Sequence, residues 1–225
     1  MLGDLHGKCK VADRLLAEVL SPDIKQVIQV GDYGWWPKSI EAWTTEFKPI
    51  CRFIDGNHEN FKELERLHKH PRPYRNWKPG WDITIRNWQH MKRGTIVNGV
   101  LYIGGARSPD KAYRTPGVDW FPEESLSKKD RKHIMGSINL YGPENIHTVI
   151  THDCPAVFRV DKIIHNLRGW PDGNNRFLTK VFNKVRPKRW FFGHYHCKME
   201  GEVAGTSWRC IGEIETGDFV IVDLS

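Results

Sequence analysis

Five short segments of the sequence combine carboxylate, amide and imidazole side chains with glycine or with a strand end. They read Gly3-Asp4-Leu5-His6-Gly7, Gly31-Asp32-Tyr33, Gly56-Asn57-His58-Glu59, Thr151-His152-Asp153 and Gly193-His194-Tyr195-His196. Such oxygen and imidazole donors suit Mn, Fe, Zn, Ni or Mg ions and require no thiolate. Since one ion takes about four protein ligands, the larger number of donors predicts two ions that share a carboxylate.

Each segment alone is weak evidence, because a Gly-Asp or Gly-Asn pair is a common turn and a single histidine is usually hydrogen-bonded. Their shared position carries more weight. Each lies at the end of a strand-like run, and ligands in α/β sheets bind beyond the carboxyl ends of the strands. The sequence therefore predicts that the five segments meet at one site. Histidines outside them are expected to have ordinary roles: His68, His70, His90, His133, His147 and His165.

The elements that must position these segments are short strands alternating with helices. Apolar runs rich in β-branched residues predict strands over 26–30, 50–54, 100–103, 148–150, 189–192 and 219–222. Apolar periodicity predicts helices over 11–20 and 61–67. This alternation is typical of layered α/β folds, and the strand-rich last third predicts mixed sheets. Because three residues precede Asp4, the first strand is expected to be very short or to begin upstream of Met1.

The composition is that of one soluble domain over residues 1–225, with 39% hydrophobic and 27% charged residues. No apolar run approaches the roughly 20 residues that cross a bilayer, and the N-terminus does not resemble a signal segment. We therefore expect a cytoplasmic protein without a membrane partner. The five cysteines are scattered and form no CxxC pair, which indicates reduced thiols.

The net charge of +7 favours anionic partners, although solubility alone accounts for much of it. Lysine and arginine are dispersed along the chain, so the sequence shows no dedicated stripe for nucleic acid. A phosphate-bearing substrate is compatible with this charge, and nucleic acid stays an alternative partner. The oligomeric state is not indicated.

Taken in order, the segments GDLHG, GD, GNHE, a strand-end TH and GHYH resemble the calcineurin-like metallophosphoesterase superfamily, in particular its small bacterial and phage members. The resemblance spans residues 3–196 and implies a four-layer αββα sandwich of two mixed β-sheets flanked by helices. It implies that one ion is bound by Asp4, His6, Asp32 and His196. It implies that the other is bound by Asp32, Asn57, His152 and His194, and that His58 protonates the leaving oxygen.

The activity implied by this resemblance is hydrolysis of phosphate esters by a hydroxide that bridges two divalent ions. Mn²⁺ is the expected metal, with Fe, Zn, Ni or Mg as alternatives. The expected substrates are small-molecule or nucleotide phosphomonoesters or phosphodiesters. A nuclease acting on DNA or RNA is an alternative. A non-catalytic scaffold of the same fold is a second alternative. It is disfavoured because the ligand set and His58 are intact.

The second segment departs from protein Ser/Thr phosphatases, whose GDxxDRG continuation supplies an arginine that grips the substrate phosphate. Here the chain continues Gly34-Trp35-Trp36. Arg107 and Arg114 are the candidates for the missing charge, with a solvated loop charge as the alternative. Arg107 belongs to a segment that resembles the GGA-x-S loop of small bacterial and phage members.

The loops over 70–82 and 104–122 are rich in Pro, Gly and aromatic residues and are expected to wall the site. Tryptophans flank the five segments, and we expect them to fill space beneath long loops in preference to stacking on a base. They are Trp35, Trp36, Trp77, Trp81 and Trp120. Cys154 and Cys197, each close to a candidate ligand, are expected to be packing residues.

Overall fold

Two mixed β-sheets form the centre of the chain in a computed structural model that describes residues 1–36, 49–69, 84–85, 88–164, 167 and 169–224. Within these residues the first sheet contains β1 (Gln26–Gln29), β2 (Ile50–Phe53), β3 (Thr84–Ile85) and β4 (Trp88–His90), in the order β1-β2-β4-β3. The second contains β5 (Thr95–Val97), β6 (Val100–Ile103), β7 (Thr148–Thr151), β8 (Arg189–Phe192), β9 (Met199–Val203) and β10 (Thr206–Cys210), in the order β5-β6-β7-β8-β10-β9. The central strands of both sheets are parallel, and β3, β5 and β9 are antiparallel edge strands.

Side-chain alternation along the strands explains how the layers stack. In β7, Val149 packs toward the helices while Ile150 packs between the sheets. In β8, Trp190 and Phe191 divide in the same way. Because both faces of these strands are covered, their sequences read as continuous apolar runs.

Within the described ranges, four helices cover the outer faces of the two sheets: α1 (Cys9–Val19), α2 (Phe61–Lys69), α3 (Lys128–Tyr141) and α4 (Gly173–Val185). Leu16 of α1 and Leu64 of α2 pack against the first sheet. Ile134 of α3 and Phe182 of α4 pack against the second. The described residues therefore form four layers in the order helix, sheet, sheet, helix, which confirms the predicted αββα architecture.

Several predicted elements are found within a residue or two of their expected bounds, namely β1, β2, β6, β7, β8, α1 and α2. The strand predicted over 219–222 is wrong. Phe219 forms only an isolated antiparallel bridge to Leu2, which in turn bridges Gln29 in parallel. Beside this bridge, the backbone N–H of Val220 donates to the carbonyl oxygen of Met1 at 3.1 Å.

Helices α3 and α4 were not anticipated from the apolar pattern, although both begin with a capping box. Ser127 accepts a hydrogen bond from the backbone of Asp130 at the start of α3. Asp172 does the same for the backbone of Asn175 at the start of α4. Within the part of the chain that is described, no helix has the length and apolar character needed to span a bilayer.

The tryptophans and cysteines predicted to be packing residues differ in their burial. Trp35 is fully buried beneath the first sheet's helices, as expected of a packing residue. Trp120 is partly exposed, with Lys111 Nζ 4.0 Å from its ring centre. Cys154 is buried and Cys197 packs at the edge of the same core. Trp77, Trp81 and the loop over 70–82 lie outside the described residues, whereas the loop over 104–122 is irregular, with a short 3₁₀ turn at Lys111–Tyr113.

Candidate metal centre

The five chemistry-bearing segments meet where the carboxyl ends of the two sheets face each other. Asp32 follows β1, and Asn57 and His58 follow β2. His152 follows β7 and the Gly193-His194-Tyr195-His196 segment follows β8. Asp4 joins them because His194 donates its backbone N–H to the Asp4 carboxylate at 3.1 Å. All seven side chains expected to bind metal are therefore drawn to one place.

One cluster consists of Asp4, His6, Asp32 and His196, each of which offers a donor atom within 4.8 Å of the others. The Nε2 atoms of His6 and His196 are 3.1 Å apart. His196 Nε2 is 3.2 Å from Asp4 Oδ2, and His6 Nε2 is 3.8 Å from Asp32 Oδ2. Four donors converging at these separations match the ligand number of a single ion.

A second cluster lies on the other side of the Asp32 carboxylate. His152 Nε2 is 3.3 Å from Asp32 Oδ1 and 3.2 Å from Asn57 Oδ1. The rings of His152 and His194 have centres 5.0 Å apart. His152 Nδ1 lies 3.0 Å from the carbonyl oxygen of Val30, to which it can donate, so Nε2 is left facing the cluster. Asp32 thus belongs to both clusters, one through each carboxylate oxygen.

The Asp32 carboxylate provides a direct test of whether a cation fits here. Its Oδ1 accepts backbone hydrogen bonds from Asn57 and His58, both at 2.7 Å. Its Oδ2 is buried and accepts no hydrogen bond from any residue that the structure describes. Burial opposes ionisation of this group, yet His152 and the other nearby imidazoles hold the pKa of Asp32 well below its usual value. A buried, ionised and unsatisfied oxygen is costly unless a cation binds it.

Backbone strain is concentrated at the same residues. Eight non-glycine residues of the described chain have positive φ, and four of them are His6, Asp32, His194 and His196, at 46°, 54°, 68° and 53°. Side chains disfavour this left-handed region, and such strain persists where function requires a particular orientation. The tight turns aim these donors into the cleft.

Three glycines allow the ligand-bearing turns to approach one another. A Cβ atom would lie 2.3 Å from His152 Nδ1 at Gly31, 2.1 Å from Asp32 Oδ1 at Gly56, and 2.3 Å from Asp4 Oδ1 at Gly193. These contacts are too short for any side chain, so glycine is required by the close packing of donors against neighbouring turns.

Glu59 holds the turn after β1 against the turn after β2. Its buried carboxylate accepts backbone hydrogen bonds from Tyr33 at 2.7 Å and Trp35 at 2.6 Å. The Asp32 carboxylate makes the reciprocal pair of bonds to the backbone that precedes Glu59. Each turn therefore fixes the other, which preorganises Asp32 and Asn57.

His58 lies at the mouth of the site, beside Arg114. The rings of His58 and His6 have centres 4.8 Å apart, and Arg114 Nη2 is 2.6 Å from both nitrogens of the His58 ring. Burial lowers the pKa of His58, and Arg114 adds to this effect while Asp32 opposes it. The Arg114 side chain is only 8% exposed and pairs with Asp110 at 2.8 Å, so it is not a solvated loop charge.

Arg107 occupies a different wall of the cleft. It is exposed, and it forms no hydrogen bond or ion pair with the residues described. Together with Leu167 and Trp170 it lines a cavity of about 400 Å³ that also borders His194 and His196. A larger cavity of about 750 Å³ lies elsewhere, and its described lining is mainly apolar and contains none of the predicted site residues.

Sequence reasoning missed two buried polar residues of the site, Ser108 and Glu124, each 1% exposed. Ser108 accepts a hydrogen bond from Asn57 Nδ2 at 3.1 Å and donates one to Glu124. Ser108 is the serine of the GGA-x-S loop, and that motif could have identified it. No local pattern pointed to Glu124, which reaches the site only through the path of the loop.

A comparison with known protein families agrees with this geometry. The family profile described as calcineurin-like phosphoesterase matches residues 1–198. No curated protein matches the chain. Among solved structures, the chain is similar to the phosphopantetheinyl hydrolase of Mycobacterium tuberculosis, with 13% identity, a TM-score of 0.46, and coverage of 95% of this chain and 89% of that one.

Proposed function

Because the chain belongs to the calcineurin-like phosphoesterase family and is therefore a metal-dependent phosphate ester hydrolase, we propose that it binds two divalent cations that share Asp32. Asp4, His6 and His196 complete one site, and Asn57, His152 and His194 complete the other. The observation that carries this proposal is the Asp32 carboxylate, whose two oxygens face two separate donor clusters. Mn²⁺ is the proposed metal, since oxygen and imidazole donors suit it.

The bound cations would supply a water molecule of lowered pKa and offset negative charge on the phosphoryl oxygens. The chain's own residues do the rest. His58, whose ring packs beside that of His6, donates a proton to the departing alkoxide. Arg114 lies against the same ring and attracts the phosphoryl group. The negative charge of a bound phosphate would counter the lowered pKa of His58 and favour its protonated form.

The proposed substrates are small-molecule or nucleotide phosphate esters. The cavity of about 400 Å³ beside His194 and His196 suits the alcohol portion of such a molecule. Trp170 supplies an apolar ring there, and Arg107, which has no ionic partner among the described residues, supplies a cation for a second anionic group. Nucleic acid is the alternative substrate, and a cytoplasmic location remains a prediction from the sequence.

A direct test uses protein stripped of metal and reloaded with Mn²⁺. We expect about two ions per chain and hydrolysis of p-nitrophenyl phosphate, its bis-ester or nucleotides. Inactivity on all three classes, with metal bound, would refute the proposal. Parallel assays with DNA and RNA oligonucleotides test the alternative, because nucleic-acid binding weakens steeply as salt is raised.

The role of His58 is tested by His58→Ala. We expect both ions to be retained and turnover of an alkyl phosphate to fall about 10²–10⁴-fold, as for loss of a general acid. Turnover of p-nitrophenyl phosphate should fall less, because p-nitrophenolate departs without a proton. His133→Ala, at an exposed position on α3, is the matched control. Equal losses on the two substrates would contradict proton donation by His58.

A further inference from the structure

Glu124 is a buried carboxylate whose two oxygens point toward opposite halves of the site. It ends the 3₁₀ turn Pro122–Glu124. Oε2 accepts the Ser108 hydroxyl hydrogen bond, and Oε1 accepts the backbone N–H of Phe121 at 3.2 Å. Oε1 also lies 3.4 Å from Nη1 of Arg114. No step of the proposed reaction uses this group.

One arm runs from Glu124 to the candidate ligand Asn57. Burial raises the pKa of Glu124 to about 7. In its ionised form the carboxylate only accepts hydrogen bonds, so the Ser108 hydroxyl donates to it. Ser108 Oγ is then an acceptor for Asn57 Nδ2 at 3.1 Å. This direction turns Asn57 Oδ1 toward His152 Nε2, 3.2 Å away. The alternative amide orientation would present N–H groups to a cation, which they cannot bind.

The other arm runs from Glu124 to the Arg114 guanidinium beside His58. Arg114 Nη1 is held by Glu124 and by the backbone carbonyl of Asp119 at 3.2 Å, and its Nε donates to Asp110 at 2.8 Å. With two nitrogens engaged in this way, Nη2 is left against the His58 ring. Nη1 also lies 3.4 Å from the backbone carbonyl oxygen of Asn57, and these contacts together orient the Arg114 guanidinium.

We infer that Glu124 is a positioning residue that fixes both the Asn57 amide, through Ser108, and the Arg114 guanidinium. One buried side chain thereby couples the metal-binding half of the site to the phosphate-binding half. This inference rests on the proposed function. Glutamine at position 124 keeps the shape of the side chain but provides an N–H₂ group, which allows the Ser108 hydroxyl to reverse and frees the Asn57 amide.

The test uses three variants: Glu124→Gln, Ser108→Ala, and the double variant that combines them. The control is Glu123→Gln, which changes the neighbouring exposed carboxylate. Mn²⁺ affinity is measured by chelator competition, and the inhibition constant of inorganic phosphate is measured at saturating Mn²⁺. We expect each single variant to weaken one of the two Mn²⁺ sites about 10–100-fold, as for loss of a group that orients a ligand. The double variant should weaken it no further, because both changes interrupt one path.

Phosphate inhibition separates the two arms. Glu124→Gln should weaken phosphate binding about tenfold through Arg114, a loss typical of one charge-assisted hydrogen bond. Ser108→Ala should leave it within about twofold of the control. Mn²⁺ affinities equal to the control in both single variants, or fully additive losses in the double variant, would overturn the inference.

Two outcomes keep this test distinct from that of the proposed function. A parent protein that binds no Mn²⁺ and hydrolyses no ester refutes the proposed function itself. A loaded and active parent with unaltered variants refutes only the role of Glu124. If Glu124→Gln shows no cooperative thermal transition, Ser108→Ala alone tests the path from Glu124 through Ser108 to Asn57. Unchanged Mn²⁺ affinity in Ser108→Ala would then overturn the inference.

Discussion

Substitution of Gly56 by alanine is the sharpest steric test of the site. The added Cβ would lie 2.1 Å from Asp32 Oδ1 and 2.2 Å from the Asp32 backbone nitrogen. Gly56 does not have positive φ, so alanine adopts its backbone conformation without strain and only the collision matters. Since non-bonded heavy atoms rarely approach within about 3 Å, Asp32 and the turn after β2 must separate by about 1 Å.

A shift of this size affects the residue that the two clusters share. Misplacement of a catalytic group by about 1 Å lowers turnover by about 10²-fold. We therefore expect Gly56→Ala to lose about 10²-fold in kcat on p-nitrophenyl phosphate and to bind fewer Mn²⁺ ions. Gly136→Ala is the control, because a Cβ at that position in α3 meets no atom of the described residues within 4 Å. It should raise stability by about 0.5–1 kcal/mol and leave kcat unchanged.

Both variants are assayed side by side for metal content by mass spectrometry, for kcat, and for thermal unfolding without metal. The reasoning requires that Gly56→Ala remains folded while its metal content and turnover fall. If Gly56→Ala matched Gly136→Ala in metal content and in turnover within about threefold, Asp32 would not be the crowded central ligand that the geometry indicates.

Three further predictions address the substrate cleft, acid stability and thiol reactivity. Arg107→Ala should raise KM for anionic esters about tenfold, with the melting temperature unchanged, since its guanidinium has no partner among the described residues; an unchanged KM excludes it from substrate binding. Burial opposes ionisation of Asp55, but Arg93 holds the pKa of that carboxyl below its usual range. This ion pair stabilises the fold at neutral pH, and its contribution is lost as pH falls below about 4, by about 1.4 kcal/mol per pH unit. Urea titrations between about pH 5 and 3 should therefore show a steeper loss for the parent than for Asp55→Asn, and equal slopes would contradict the pairing. Burial raises the pKa of Cys51 to about 12. Iodoacetamide should therefore modify the partly exposed Cys197 before Cys51, and early labelling of Cys51 in the folded protein would show that its burial is wrong.

Much of the fold was predictable from the sequence because both faces of the central strands are covered. Val149 and Ile150 pack on opposite sides of the second sheet, so β7 reads as an unbroken apolar run. Helix α3 was less visible, because Ile134 and Ile138 are its only fully buried residues. The Ser127 capping box was the better signal there.

The candidate ligands were predictable because each follows a strand within a recognisable turn, which brings them together once the sheets pack. The support around them was not. Glu124 and Arg114 reach the site through a long irregular loop, and nothing in local periodicity states where such a loop runs. The burial of Arg114 beside His58 depends on Asp110 and on the backbone carbonyl of Asp119, both supplied by the folded loop, so the sequence left its environment open.

The central claim is that Asp32 bridges two cations. Crystals loaded with Mn²⁺ and measured at the manganese absorption edge test it directly. We predict two anomalous peaks about 3.5–4 Å apart, one on each side of the Asp32 carboxylate. A single peak, no peak, or peaks remote from Asp32 would contradict the account.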